Sequence, residues 1–198
     1  MAEELETKVT TPEFRASYSH VWEKHKDQYD NEKYSICMVW PDGADLSSIK
    51  KAIMNCMINK YGADQKKWGK DALKAKASVA ELLMKGDEQR PDDPVYADCM
   101  FMSAKSDNKV GVVDSGVNKI MDQDEFYSGC YARASIRFYI PKKFHRVCCA
   151  LNNVMKIKDG EPLSGGSSAE EDFAEFVDPN ATAKTTSAAG EEGAEDWM

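Results

Sequence analysis

Residues 126–140 read FYSGCYARASIRFYI, and in this stretch small or apolar side chains alternate with aromatic and cationic ones. Successive side chains of an extended strand point to opposite faces. Apart from Ser128, the even positions form an apolar face suited to a core: Phe126, Cys130, Ala132, Ala134, Ile136, Phe138 and Ile140. The odd positions are Tyr127, Gly129, Tyr131, Arg133, Ser135, Arg137 and Tyr139. The pattern predicts one long strand with a buried face and an open face.

The open face of this strand combines flat rings with guanidinium groups. Nucleic-acid bases stack on such rings, at about 1 to 3 kcal/mol per base, while cations meet the phosphates. Tyrosine and arginine also suit the solvated face of an ordinary antiparallel strand. The strand alone therefore leaves both a binding surface and a plain hydrated face open.

The charge of the chain is divided unevenly along its length. The 198 residues are 42% hydrophobic and carry a net charge of −8. From Ser168 to the end there are nine carboxylates and one cation, Lys184, so this segment holds the whole imbalance. This division predicts one domain at residues 1–167, with a core of its own, and a separate acidic tail at residues 168–198.

The tail has a composition that predicts disorder from Asp178 onward, since it offers too little apolar surface to bury. Its last residues combine acidic charge with an indole: Glu191, Glu192, Glu195, Asp196 and Trp197. Charge of this kind steers a segment toward a basic patch, and tryptophan often anchors an interface. A tail that only aids solubility, with an incidental tryptophan, is the alternative.

The rest of the chain shows more strands than helices. Alternation or short apolar runs predict strands at residues 14–24, 34–40, 96–105, 110–113 and 144–154. Helical spacing from Leu46 to Lys60, followed by Gly62, predicts one amphipathic helix. Short turns between five or more strands favour a mainly β fold, a five-stranded barrel with one or two helices. The lysine-rich stretch at residues 66–76 is either a phosphate-binding surface or a solvated helix face.

Several classes of function are not expected from the sequence. The three histidines are isolated, and Asp92 and Asp93 lie in a proline loop, so we expect no enzyme active site. The six cysteines lack metal-ligand spacing, which predicts buried reduced thiols without a metal or cofactor. An acidic start and the lack of a long apolar run predict a soluble, intracellular protein.

Motifs throughout the chain resemble those of a known family. The blocks are residues 11–18 (TPEFRASY), 103–106 (SAKS), 112–114 (VVD), 125–135 (EFYSGCYARAS), 151–154 (LNNV), 159–163 (DGEPL) and 168–173 (SAEEDF). They resemble bacteriophage single-stranded-DNA-binding proteins, although residues 68–85 depart from the pattern. The resemblance implies an OB-fold body that coats single strands at the phage replication fork, in the host cytoplasm. It also implies an acidic tail that recruits the phage DNA polymerase and helicase-primase.

These observations lead to a specific hypothesis for single-stranded DNA (ssDNA) binding. Tyr127, Tyr131 and Tyr139 would stack bases, helped by Trp22 or Phe101. Five cations would neutralise phosphates: Arg133, Arg137, Lys105, Lys109 and Lys119. Two alternatives remain open, namely strand annealing in recombination through the same contacts, and an adaptor whose aromatic face binds protein.

Overall fold

A computed structural model describes residues 4–26 and 30–163. Its strands are β1 (Lys8–Thr10), β2 (Phe14–Lys26), β3 (Glu32–Pro41), β4 (Met84–Lys85), β5 (Cys99–Ser106), β6 (Gly111–Val113), β7 (Tyr131–Tyr139) and β8 (Cys148–Lys158). Its helices are α1 (Ser47–Tyr61), α2 (Lys70–Ala77), α3 (Val79–Leu82) and α4 (Gly86–Gln89). The predicted boundary after residue 167, the predicted disorder and the predicted partner-binding residues of the tail lie outside these ranges. Within the described ranges, no helix is long and apolar enough to span a bilayer.

Five long strands close a barrel in the order β2–β3–β5–β8–β7, because β7 pairs with both β8 and β2. The pairing of β5 with β8 is parallel, and the other four contacts of the barrel are antiparallel. The short strands β1, β4 and β6 extend this sheet by pairing with β7, β5 and β8. The predicted mainly β fold with a five-stranded OB-like barrel is confirmed.

The predicted apolar face of β7 lies inside the barrel, where its even positions are at most 1% exposed. They belong to the same core as Phe14 of β2 and Trp40 of β3, whose rings meet edge to face with centroids 5.9 Å apart. Helix α1 lies beside β1 and β7 and contributes Ile49, Ile53 and Met57 to this core. The predicted helix is confirmed, and it ends at Gly62 as expected.

β7 begins at Tyr131, five residues later than the alternation predicts. At Gly129 the chain turns with a φ of +122°, and a Cβ at this position would overlap the carbonyl oxygen of Glu161. Only glycine fits this close approach. The strand prediction is therefore wrong for residues 126–130, and Tyr127 does not lie on the outer face of β7.

A second, smaller core lies on the outside of the barrel, where residues 84–96 cover part of β3 and β5. Its buried members are Cys37, Val39, Tyr96, Cys99 and Phe101. The ring of Phe101 is 1% exposed and meets Tyr96 edge to face, with centroids 4.9 Å apart. The prediction that Phe101 helps to stack bases is wrong, because this covering segment leaves no ring surface for a base.

Candidate nucleic-acid interface

A row of paired residues crosses the outer surface of the barrel from β2 to β1. The pairs run His20–Ser35, Ser35–Lys105, Lys105–Ala150, Ala150–Arg137 and Arg137–Lys8. Residues directly opposite on neighbouring strands project on the same side of a sheet. The cations Lys105, Arg137 and Lys8 are all exposed. At about 4.8 Å per strand spacing, the row extends over roughly 24 Å.

An open groove of about 760 Å³ lies over the middle of this row, and we call it the basic groove. Its walls come from the β3 and β5 strands, from α3, from β7 and β8, and from the connection between β7 and β8. Four cations line it, namely Lys33, Lys105, Arg137 and Arg146, against the two carboxylates of Glu81 and Asp107. Lys33 lies 3.1 Å from a carboxylate oxygen of Asp107. The groove therefore combines positive charge with openness, as binding of a polyanion requires.

Two aromatic rings also line the basic groove. Tyr139 of β7 is 42% exposed, and Phe144, between β7 and β8, is 62% exposed. Exposed rings that line one groove are available to stack against a bound base. Burial raises the pKa of the Tyr139 phenol, which stays neutral at physiological pH. The groove thus offers ring faces beside cations.

Three of the predicted site residues, Lys105, Arg137 and Tyr139, meet in the basic groove. Tyr131 lies six residues from Arg137 on β7, which corresponds to about 20 Å along the strand. The Lys158 ammonium group is 4.5 Å from the centroid of the Tyr131 ring and forms an ion pair with Glu13 at 2.9 Å. Tyr131 instead lines a separate cavity of about 350 Å³.

Tyr127 has local contacts that suit a structural role. Its hydroxyl group lies 2.9 Å from the Gly160 carbonyl oxygen and 3.1 Å from a carboxylate oxygen of Asp159. The ammonium group of Lys156 lies 5.5 Å from the centroid of its ring. Burial raises the pKa of the Tyr127 phenol. These contacts hold the chain where it leaves β8.

The remaining predicted residues lie away from the lining of the basic groove. Trp22 is half-buried, and its indole N–H donates to the Phe126 carbonyl oxygen at 3.1 Å. Arg133 is exposed on β7 opposite Met155. Lys109 and Lys119 are exposed, and in the sequence they precede and follow β6. Their roles in binding stay predictions.

Two histidines lie beside the basic groove, in a smaller cavity of about 180 Å³ that shares Lys33 and Lys105 with it. The rings of His20 and His25 are stacked, with centroids 4.2 Å apart and planes at 9°. Burial, and secondarily the proximity of His25, lowers the pKa of His20. This pair is a site where protonation would add positive charge to the surface.

Sequence reasoning missed Lys33, Phe144 and Arg146, which line the basic groove. They lie near a strand end or in a connection, where alternation does not show on which side of the sheet a side chain lies. The turn at residues 141–143 is the available signal, since residues that follow a turn are often displayed. Among the described residues, no group of three or more His, Cys, Asp or Glu side chains is arranged to hold a metal ion.

Comparison with known proteins places this geometry in context. A family model described as the ssDNA-binding protein of Enterobacter phage Enc34 matches residues 7–184. The putative protein p50 of Acyrthosiphon pisum secondary endosymbiont phage 1 is 32% identical over 111 residues, which are 52% of this chain and 59% of that protein. The chain thus matches about three fifths of the length of this relative.

Solved structures show the same fold. The ssDNA-binding protein from bacteriophage Enc34 in complex with ssDNA has a TM-score of 0.61 and 22% identity, over 80% of this chain and 90% of that chain. A second structure of that protein has a TM-score of 0.59 and 23% identity, over 85% of this chain and 90% of that chain. Since the family model covers most of the sequence, this chain belongs to the family of phage ssDNA-binding proteins represented by that of Enterobacter phage Enc34.

Proposed function

We propose that this protein binds ssDNA along the basic groove, without sequence preference, and coats it during phage DNA replication and recombination in the host cytoplasm. The observation that carries the proposal is the meeting of a cationic row with two exposed rings in one open groove. Its role is binding and protection, with no chemical step of its own.

The phosphates would meet the four cations of the groove. Arg137 and Arg146 offer planar guanidinium groups, whose paired N–H donors match phosphate oxygens. On DNA binding, the ammonium group of Lys33 would leave the carboxylate of Asp107 and contact a phosphate instead. Each neutralised phosphate releases counterions, so affinity should fall steeply with salt. Arg133, Lys109 and Lys119 would continue the phosphate contacts beyond the groove.

The bases would stack on Tyr139 and Phe144. A ring face accepts any base, because every base has a π-face, and this makes the binding tolerant of sequence. Bases in a duplex are already stacked and paired and cannot lie on these rings. The same groove should therefore prefer single strands to duplex of equal length.

The acidic tail would serve partner proteins in this proposal. Its carboxylates and Trp197 would recruit the phage DNA polymerase and helicase-primase, since acidic charge with an aromatic anchor suits a basic pocket. With DNA absent, the tail would occupy the basic groove.

Fluorescence anisotropy with a labelled 30-mer of thymidine tests the binding proposal. Arg137→Ala should weaken binding and reduce the salt slope by about 1, because one phosphate contact is lost. Tyr139→Ala should weaken it about 5- to 150-fold, the equivalent of one stacked base. Lys51→Ala is the matched control, since this exposed lysine of α1 does not line the groove.

Two results would contradict the proposal. The first is wild-type affinity no higher for the 30-mer than for a duplex of the same length. The second is an Arg137→Ala variant that binds like the Lys51→Ala control.

A further inference from the structure

Tyr18 interrupts β2 with a backbone conformation that bulky residues rarely adopt. Its φ is +43°, in the left-handed region. The pairing of β2 with β3 shifts register here, between Ser17 and His20. Glycine satisfies such a position without strain, whereas an L side chain does not. A strained tyrosine at a bulge points to a role for its side chain, because strain of this kind concentrates at functional sites.

The side chain of Tyr18 is displayed on the surface and is 56% exposed. Arg90 supports the ring, with its guanidinium carbon 4.9 Å from the ring centroid. The same guanidinium group lies 4.3 Å from the centroid of Tyr96 and 5.4 Å from that of Phe101. Tyr18 is thus the exposed member of a cluster whose other two rings are buried.

Arg90 itself is held in place by its backbone. Its amide donates to the Gly86 carbonyl oxygen at 2.7 Å, and its carbonyl oxygen accepts from the Asp93 amide at 3.2 Å. Within residues 4–26 and 30–163, no ion pair joins Arg90 to a carboxylate. Its N–H groups therefore keep their capacity to bind an anion such as a phosphate.

Bound ssDNA that continued from the basic groove toward β2 would reach Tyr18. This residue lines the 180 Å³ cavity that contains His20 and shares Lys33 and Lys105 with the groove. It also lines a second cavity, of about 300 Å³. Tyr18 therefore borders two recesses at the β2 end of the cationic row, where a base could lie against its exposed ring.

We propose that Tyr18 and Arg90 form a stacking site at which one base of the bound strand lies on the exposed Tyr18 ring and Arg90 contacts a neighbouring phosphate. The site extends the basic groove across β2. This inference rests on the proposed function, because it adds a contact to the same strand of DNA.

Three variants at position 18 separate binding from folding. Tyr18→Phe keeps the ring and should bind the labelled 30-mer within about twofold of wild type. Tyr18→Ala and Tyr18→Gly remove the ring and should each bind about fivefold or more weakly, as loss of one stacked base requires. Tyr18→Gly relieves the left-handed strain, so its melting temperature should stay at or near that of wild type.

A second measurement locates the base directly. Irradiation of the wild-type protein with a 30-mer that carries 5-iododeoxyuridine should crosslink the DNA to the peptide containing Tyr18, as read by mass spectrometry. Wild-type affinity for Tyr18→Gly, or crosslinks that never include this peptide, would overturn the inference. If wild type binds and Arg137→Ala weakens binding, such a result removes the Tyr18 site alone. If wild type does not bind, the proposed function itself fails.

Discussion

At the scale of single residues, His20 links the proposed binding surface to pH. It faces His25, Tyr18, Lys33 and Lys105 in one cavity, and burial lowers its pKa below the ordinary value of 6.5. The folded protein then binds fewer protons than the unfolded chain as pH falls through the window just below 6.5, so His20 makes folding less favourable there. A bound phosphate has the opposite effect, since it favours the protonated ring.

We therefore expect ssDNA affinity to rise, and the melting temperature of the free protein to fall, between pH 7.5 and pH 5.5. His20→Gln should reduce both changes, and anisotropy and thermal melting at the two pH values measure them. His145→Gln is a matched control, because this histidine lies near Asp71 and outside the cavity. Equal pH dependence of the His20 and His145 variants would argue against the assignment.

At the scale of elements, the barrel strands follow from alternation, but the segment that covers them does not. The even residues of β7 show the core face directly, and so Arg137 and Tyr139 could be placed outside. Alternation distinguishes the inner from the outer face of a strand, but it cannot show whether another segment covers the outer face. For this reason Phe101 was wrongly predicted to stack bases. Residues 84–96 lack a regular period, since Met84 contacts the barrel from a short strand, and Val95 and Tyr96 contact it from a single 3-10 turn at Pro94–Tyr96.

The absence of a side chain at Gly86 allows this covering segment to pack closely against β5. A Cβ at Gly86 would overlap the Tyr96 carbonyl oxygen and lie 2.7 Å from the Cys99 sulfur. Gly86→Ala should therefore destabilise the fold by about 1–3 kcal/mol through overpacking. Gly69→Ala is the control, because a Cβ there meets nothing within 4 Å, and it should cost less than Gly86→Ala, about 0.5–1 kcal/mol for alanine at the N-cap of α2. Urea unfolding measures both, and equal stability of the two variants would show that the segment tolerates displacement.

At the scale of the whole molecule, net charge is a poor guide to the partner. The chain carries −8, yet residues 1–167 are neutral overall, and four of their cations line the basic groove. The local field of a groove governs its encounter with DNA. In the proposed function, a tail of −8 on the same chain would compete with DNA at a high effective concentration.

Deletion of residues 168–198 should therefore raise ssDNA affinity at low salt, as anisotropy would show. The gain should shrink near 1 M salt, where the screening length is about 3 Å. A full-length chain in which Glu191, Glu192, Glu195 and Asp196 are changed to the corresponding amides keeps the length and removes four charges, so it should recover part of the gain. Unchanged affinity of the truncated chain at low salt would show that the tail leaves the basic groove open. A gain from truncation without any gain from the amide variant would assign the effect to the other carboxylates or to the bulk of the tail.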